Sequence, residues 1–260
     1  HMGIDGMTFT GSPPVGKQLM EYSGQSNLKR TFLELGGKSP NIVFADANLE
    51  KAASSAALAV YWNSGQTCTA GTRLIVEESI LDDFLARVIE ESKAWMPGNP
   101  MDPATVMGPM IDGSQCNTVS EYVAIGRAEG AKLVFGGTKT MEGTGGHYYE
   151  PTIFAGVTND MRIAREEIFG PVLSISTYET EEEAIIMAND SEYGLSGGVW
   201  SGDEERAMRV AKAMRTGQVS INGGAFNISA PFGGYKLSGN GRELGSHGLE
   251  EFLEVKAIQR

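Results

Sequence analysis

Apolar residues fall at Leu49, Ala52, Ala53, Ala56, Ala57, Val60 and Tyr61, recurring every three or four positions. That spacing puts them on one stripe of a helix with 3.6 residues per turn. Leu81, Phe84, Leu85 and Val88 repeat the pattern, as do Ala207, Val210, Ala211 and Met214. Further helices are predicted over 13–22, near 119–128 and near 181–188. Short apolar or alternating runs lie between them and read as strands: 7–10, 32–35, 41–44, 73–76, 132–135, 152–157, 172–176, 197–200 and 218–221. Strands alternating with helices predict an α/β fold with an open, mostly parallel sheet and helical crossovers. The Gly- and Pro-dense stretches 97–109, 136–146 and 223–241 read as loops.

Composition narrows the function. Of 260 residues, 41% are hydrophobic and 21% charged, which is globular and too apolar for a disordered chain. The formal charge of −12 and the scattered Lys and Arg argue against a nucleic-acid or anionic-membrane partner. No apolar run approaches the roughly 20 residues that span a bilayer, and the N-terminus lacks a signal-peptide layout. Cys68 and Cys116 stand too far apart to suggest a disulfide framework, so a reducing, cytoplasmic setting is expected. No His/Cys/Asp/Glu cluster has metal-ligand spacing, and no metal is expected.

Four places carry candidate chemistry. Residues 10–17 nearly match a phosphate loop, but Gln18 stands where a Ser or Thr should hold magnesium, and Pro13 and Pro14 remove needed N–H groups. Ser12 reads better as the N-cap of a helix with Pro13 at its first position. It is either a plain cap or the exposed helix end that meets a pyrophosphate. Cys68 lies past a helix end among small polar residues, off any apolar stripe. It reads either as a partly exposed structural cysteine or as a nucleophile activated by backbone N–H groups and Arg73. Glu34 ends an apolar strand beside Gly36 and Gly37, where burial would raise its pKa toward base duty; its plainer reading is an edge charge in solvent. Glu167 precedes Ile168-Phe169-Gly170-Pro171 and reads otherwise as an ordinary helix-end acid. Neither His147 nor His247 has a carboxylate or amide at a suggestive orienting spacing, which leaves a Cys-His hydrolase unsupported.

Five segments in order carry a resemblance: Phe9-Thr10-Gly11-Ser12, Leu33 through Pro40, Gly65-Gln66-Thr67-Cys68, Glu167 through Val172, and Pro231 through Gly239. Together the sequence resembles the aldehyde dehydrogenase superfamily over nearly its whole length. The resemblance implies that Cys68 attacks an aldehyde, that hydride passes to NAD or NADP, and that Glu34 activates water to hydrolyse the thioester. It also implies a cofactor contact at Gly11, Ser12 and Gly36, ribose binding by Glu167, and packing of Phe169 near the nicotinamide. Trp62, Thr67, Phe226 and Phe232 are candidates for an apolar substrate tunnel, although core packing explains them equally well. Asn222 is expected near the site without a catalytic role.

The resemblance further implies that residues 1–35 are the remnant of a dinucleotide-binding domain and 36–251 the catalytic domain. Residues 252–260 read as a terminal strand of the kind that joins subunits, so a homo-oligomer is expected. His1-Met2 has the look of a cloning remnant, and most of the cofactor sheet has no counterpart here. Weak cofactor binding by this chain is therefore expected. Two alternatives stay open, a cofactor-independent thiol esterase using Cys68 and Glu34, and a non-catalytic relative.

Overall fold

A computed structural model describes all 260 residues. Its first unit is β1 (Gly6–Thr10), α1 (Pro13–Gly24) and β2 (Arg30–Glu34), with β1 and β2 parallel. Five residues then cross to β3 (Pro40–Val43), α2 (Leu49–Tyr61), β4 (Arg73–Glu77) and α3 (Leu81–Lys93). Next come α4 (Gly113–Ala128), β5 (Lys132–Phe135), β6 (Lys139–Thr140), β7 (Tyr148–Tyr149), β8 (Thr152–Ala155) and α5 (Arg162–Arg165). The chain continues through β9 (Val172–Tyr178), α6 (Glu181–Asn189), β10 (Tyr193–Gly194), β11 (Ser196–Trp200), α7 (Glu204–Ala213) and β12 (Gln218–Ile221). It ends with β13 (Tyr235–Lys236), β14 (Gly239–Asn240) and α8 (Gly245–Glu250).

The α/β expectation holds. Seven strands form one sheet in the order β12-β11-β3-β4-β9-β8-β5, all parallel except β5, which runs against β8. Central β3 is buried on both faces, as parallel strands under helices must be. Val43, Leu74, Val76, Leu173 and Ile175 face α2 and α3, whereas Ile42, Phe44, Ile75 and Tyr178 face α6 and α7. The alanines of the predicted stripe, Ala52, Ala53, Ala56 and Ala57, are buried and bring α2 close to the sheet. Asn48 caps that helix by accepting from the Lys51 N–H at 3.0 Å.

β14 pairs antiparallel with β2, so residues 239–240 of the late loop share the small sheet with residues 6–34. Residues 252–260, expected to join subunits, pair with no strand of the single chain, and Val255 and Ile258 stand exposed. Alternation along a segment supplies no edge for it to pair with.

Chain direction sets the site. β2 ends at Glu34 and β3 begins at Pro40, so the carboxyl end of the small sheet abuts the amino ends of β3, β4 and β9. Loops 35–39, 62–72 and 166–171 all open into that junction.

Candidate active site

The nucleophile loop is built by an abrupt change of hand. After α2, Asn63 (φ 53°), Ser64 (φ 56°) and Gly65 (φ 72°) are all left-handed. Left-handed backbone is unfavourable for Asn and Ser and persists only where neighbours enforce it. Here Ser64 Oγ donates to the Gly108 carbonyl at 2.8 Å, Asn63 Nδ2 donates to the Gln66 carbonyl at 3.0 Å, and Gln66 Oε1 accepts from the Ile111 N–H at 2.9 Å. Gly65 packs so closely on loop 166–171 that a Cβ would lie 2.2 Å from the Gly170 oxygen. The Ala70 N–H then bonds the Thr67 carbonyl at 3.1 Å, turning the chain around Cys68. Cys68 is half-buried.

Two backbone amides, those of Cys68 and Thr69, stabilise a negative Sγ, while burial, Glu167 and Glu34 act against it more strongly. The net effect pushes the Cys68 thiol above its ordinary value. This corrects the expected help from Arg73. Its guanidinium turns away and donates to the carbonyls of Lys38, Met187 and Ala188 and to Asn159 Oδ1. Cys116 is buried inside α4 with no such surroundings.

Glu34 is only 5% exposed, and its Oε2 has no partner. Burial pushes its pKa up to about 7, Glu243 adds to the rise and Arg242 opposes it. A carboxyl balanced near neutrality is suited to taking a proton from water. The Gly11 N–H fixes the strand end by donating to the Glu34 carbonyl at 3.0 Å.

Glu167 reaches into the same junction. Its Oε1 accepts from the Gly37 N–H at 3.0 Å, and Oε2 fills the space where a Cβ on Gly36 would lie. Gly37 in turn lies against the Cys68 carbonyl. Gln115 Nε2 holds loop 166–171 through the carbonyls of Ile168 and Phe169, both at 2.9 Å. Phe169 is left-handed (φ 56°) and presents an exposed ring. Ser12 sits at the N-cap of α1 as expected, but its side chain makes no capping bond and is free for a ligand.

Of the tunnel candidates, Phe226 lines a cavity of about 500 Å³ with Thr69, Val219, Ile221 and Pro231. Phe232 packs edge-on against Phe226 at 6.1 Å. Thr67 has a buried hydroxyl without a partner. Trp62 is 60% exposed and does not line that cavity. Asn222 is occupied with the backbone N–H and carbonyl of Ser201.

Two residues inside the quoted motifs had no assigned role and prove central to the geometry. Ser238 is fully buried, donates to the Gly36 carbonyl at 2.7 Å and accepts from the Gly194 N–H at 2.9 Å. Lys38 is 2% exposed, with no hydrogen bond at Nζ.

The Aldehyde dehydrogenase family matches residues 1–258. Retinal dehydrogenase 2 of Mus musculus is 52% identical over 259 residues, which cover 99% of this chain and 50% of that protein. Aldehyde dehydrogenase 1A1 of Gallus gallus is 48% identical over the same coverage. The chain therefore spans about half the length of the curated relatives it matches. Among solved structures, the indole-3-acetaldehyde dehydrogenase of P. syringae, in complex with NAD+ and IAA, superposes with a TM-score of 0.97 at 54% identity. That match covers 98% of this chain and 52% of the other. The aldehyde dehydrogenase KauB of Pseudomonas aeruginosa gives 0.97 at 55%, covering 99% and 52%.

Proposed function

The chain belongs to the aldehyde dehydrogenase family, and on that premise we propose that it carries the thiol chemistry of an NAD(P)-dependent oxidation of an aldehyde to a carboxylic acid. The observation that supports this most is the meeting of three loops in one junction between two sheets: Glu167 accepts from the Gly37 N–H, Gly37 lies against the Cys68 carbonyl, and buried Glu34 ends its strand just before Gly36 and Gly37. In this reading the Cys68 sulfur, once deprotonated, forms a bond to the aldehyde carbon and gives a thiohemiacetal. The backbone N–H groups of Cys68 and Thr69 lie beside the sulfur and favour negative charge there. NAD or NADP, when bound, supplies hydride acceptance. Glu34 then takes a proton from the water that attacks the thioester carbon. The carbon–sulfur bond breaks, and the carboxylic acid leaves with Cys68 restored.

The residues present fit one end of such a cofactor. Gly36 lets the Glu167 carboxylate lie against the backbone, its Oε2 makes no hydrogen bond within the chain and would face ribose hydroxyls, Phe169 presents a ring, and Gly11 and Ser12 precede the open N-terminus of α1. Pro13 and Pro14 remove two amides from that helix end, so the hydroxyl of Ser12 matters more for an anion there. A two-stranded parallel pair offers little of a dinucleotide sheet, which supports weak cofactor binding by this chain. The apolar side of the cavity beside Thr69, made by Phe226, Val219, Ile221 and Pro231, suits an aromatic or medium-chain aldehyde, with Ser196, Gln218, Ser220 and Asn227 on its polar side. Assembly into a homo-oligomer through residues 252–260 belongs to the same reading.

Titration with NAD and NADP, followed by an aldehyde oxidation assay on the chain and on Cys68→Ala, tests this. Binding at least about ten-fold weaker than in a full-length relative is expected. Whatever oxidation the chain performs is expected to vanish in the variant. Affinity equal to the full-length relative overturns the weak-binding half, and oxidation that survives Cys68→Ala overturns the thiol assignment.

A second reading rests on one specific observation: Cys68 and Glu34, which suffice to acylate and deacylate a thiol, are both here. Hydrolysis of activated esters needs no nicotinamide, so it calls only on residues that this structure holds.

A further inference from the structure

A peptide unit between two glycines has no Cβ on either side to restrict its plane, so it turns at little cost unless something holds it. The unit joining Gly36 to Gly37 is of this kind, and it is held at both ends. Its N–H donates to Glu167 Oε1 at 3.0 Å. Its carbonyl accepts from Ser238 Oγ at 2.7 Å, the one hydrogen bond which that carbonyl receives.

Ser238 lies in the turn between β13 and β14 and is fully buried. The direction of its hydroxyl is fixed by its partners. The Gly194 N–H donates to Oγ at 2.9 Å, and the Gly36 carbonyl can only accept, so the Ser238 proton points at Gly36. The Ser238 carbonyl in turn accepts from the Leu35 N–H at 2.9 Å. One residue therefore grips the loop after Glu34 at two successive points. There is little slack around it: a Cβ on Gly234 would lie 2.4 Å from the Ser238 Cβ. On the far side of the same peptide unit, a Cβ on Gly37 would lie 2.1 Å from the Cys68 carbonyl oxygen. Alanine at 238 would fill nearly the same space but leave the buried Gly36 carbonyl without a donor, so the hydroxyl has a task that packing does not explain. Hydrogen bonds in series also polarise one another, and here they run from Gly194 through Ser238 and the Gly36–Gly37 peptide to Glu167.

We propose that Ser238 is a positioning residue whose hydroxyl fixes the plane of the Gly36–Gly37 peptide, so that the Gly37 N–H faces loop 166–171 and seats the Glu167 carboxylate beside the Cys68 loop. With that plane fixed, one oxygen of Glu167 is tied down and the other is aimed. The importance of the seat for catalysis rests on the proposed ribose-binding role of Glu167; the fixing of the peptide plane does not.

The test is amide hydrogen exchange at Gly37 together with a carboxyl ¹³C titration of Glu167, both on the whole chain. The Glu167 signal is assigned by its loss in Glu167→Gln, and the Gly37 amide by its coupling to the labelled Gly36 carbonyl. Ser238→Ala is expected to speed Gly37 exchange at least about ten-fold and to raise the Glu167 midpoint by about half a unit or more. Ser238→Cys, which returns the volume but donates only weakly, is expected to behave as Ser238→Ala does. An unmoved Gly37 rate or an unmoved Glu167 midpoint in folded Ser238→Ala overturns the proposal. So does recovery of either in Ser238→Cys, which would make the effect one of volume. Should either variant fail to fold, Glu167→Ala decides. The Gly36 carbonyl ¹³C signal is then expected to stay at the shift of a hydrogen-bonded carbonyl, because Ser238 still holds it. A move to the shift of a free carbonyl would show that Glu167 sets the plane, and overturns the proposal. None of these measurements uses a cofactor or a substrate. Their failure therefore leaves the Cys68 and Glu34 chemistry standing, and failure of that chemistry, or of the ribose role, leaves the grip of Ser238 on the peptide intact.

Discussion

Glu34 shows at the scale of one residue how the site works against stability. An unfolded glutamate gives up its proton near 4.5, whereas folded Glu34 holds its proton to about 7. The stability this group contributes is complete below 4.5 and is lost as pH rises through about 7. Glu34→Gln removes that loss. Urea unfolding at pH 8 is expected to show the variant more stable by on the order of 2–3 kcal/mol, with little difference at pH 4. Equal effects at both pH values would contradict the burial argument. The residue types were legible: Cys68 stood off any apolar stripe, and Glu34 stood beside two glycines at a strand end. The electrostatics were not. Arg73 is five positions from Cys68 in sequence, but it begins β4 and its side chain is spent on carbonyls behind the site. Lys38 in a Gly-Gly-Lys-Ser turn has the sequence of a solvated loop, and only the docking of two sheets buries it.

Periodicity carried most of the elements, because stripes of alanine and valine record which face meets the sheet. The loop that carries the thiol obeys a different logic, contact with chain far away in sequence. Gly65 is the sharpest instance: it is left-handed, and a Cβ there would meet the Gly170 backbone. Gly65→Ala is expected to cost about 3 kcal/mol or more and to loosen loop 62–72 from loop 166–171. Thermal unfolding together with proteolysis of the Cys68 loop measures both. A stability loss within about 1 kcal/mol of wild type would show that the loops part without penalty. Strand pairing was the least legible feature, since it depends on available edges. Residues 239–240 gained a partner in β2, read as part of a loop, whereas residues 252–260, with a convincing alternation, found none.

The molecule as a whole is two sheets meeting end to end, and the candidate site is their seam. The resemblance was legible because the motifs that build the seam are contiguous segments, each on a loop that opens into it. The meeting itself was not legible, because it depends on the direction in which β2 hands over to β3. What the account requires of the whole is that Cys68 accept an acyl group and that Glu34 remove it, with no cofactor needed. The decisive measurement is intact-protein and peptide mass after brief exposure to an aryl acetate, on the chain, Cys68→Ala and Glu34→Gln. The predicted result is one acetyl group on the Cys68 peptide, absent in Cys68→Ala and decaying at least about ten-fold more slowly in Glu34→Gln. Acetyl found on Cys116 or elsewhere, or decay unchanged without the Glu34 carboxylate, would contradict it.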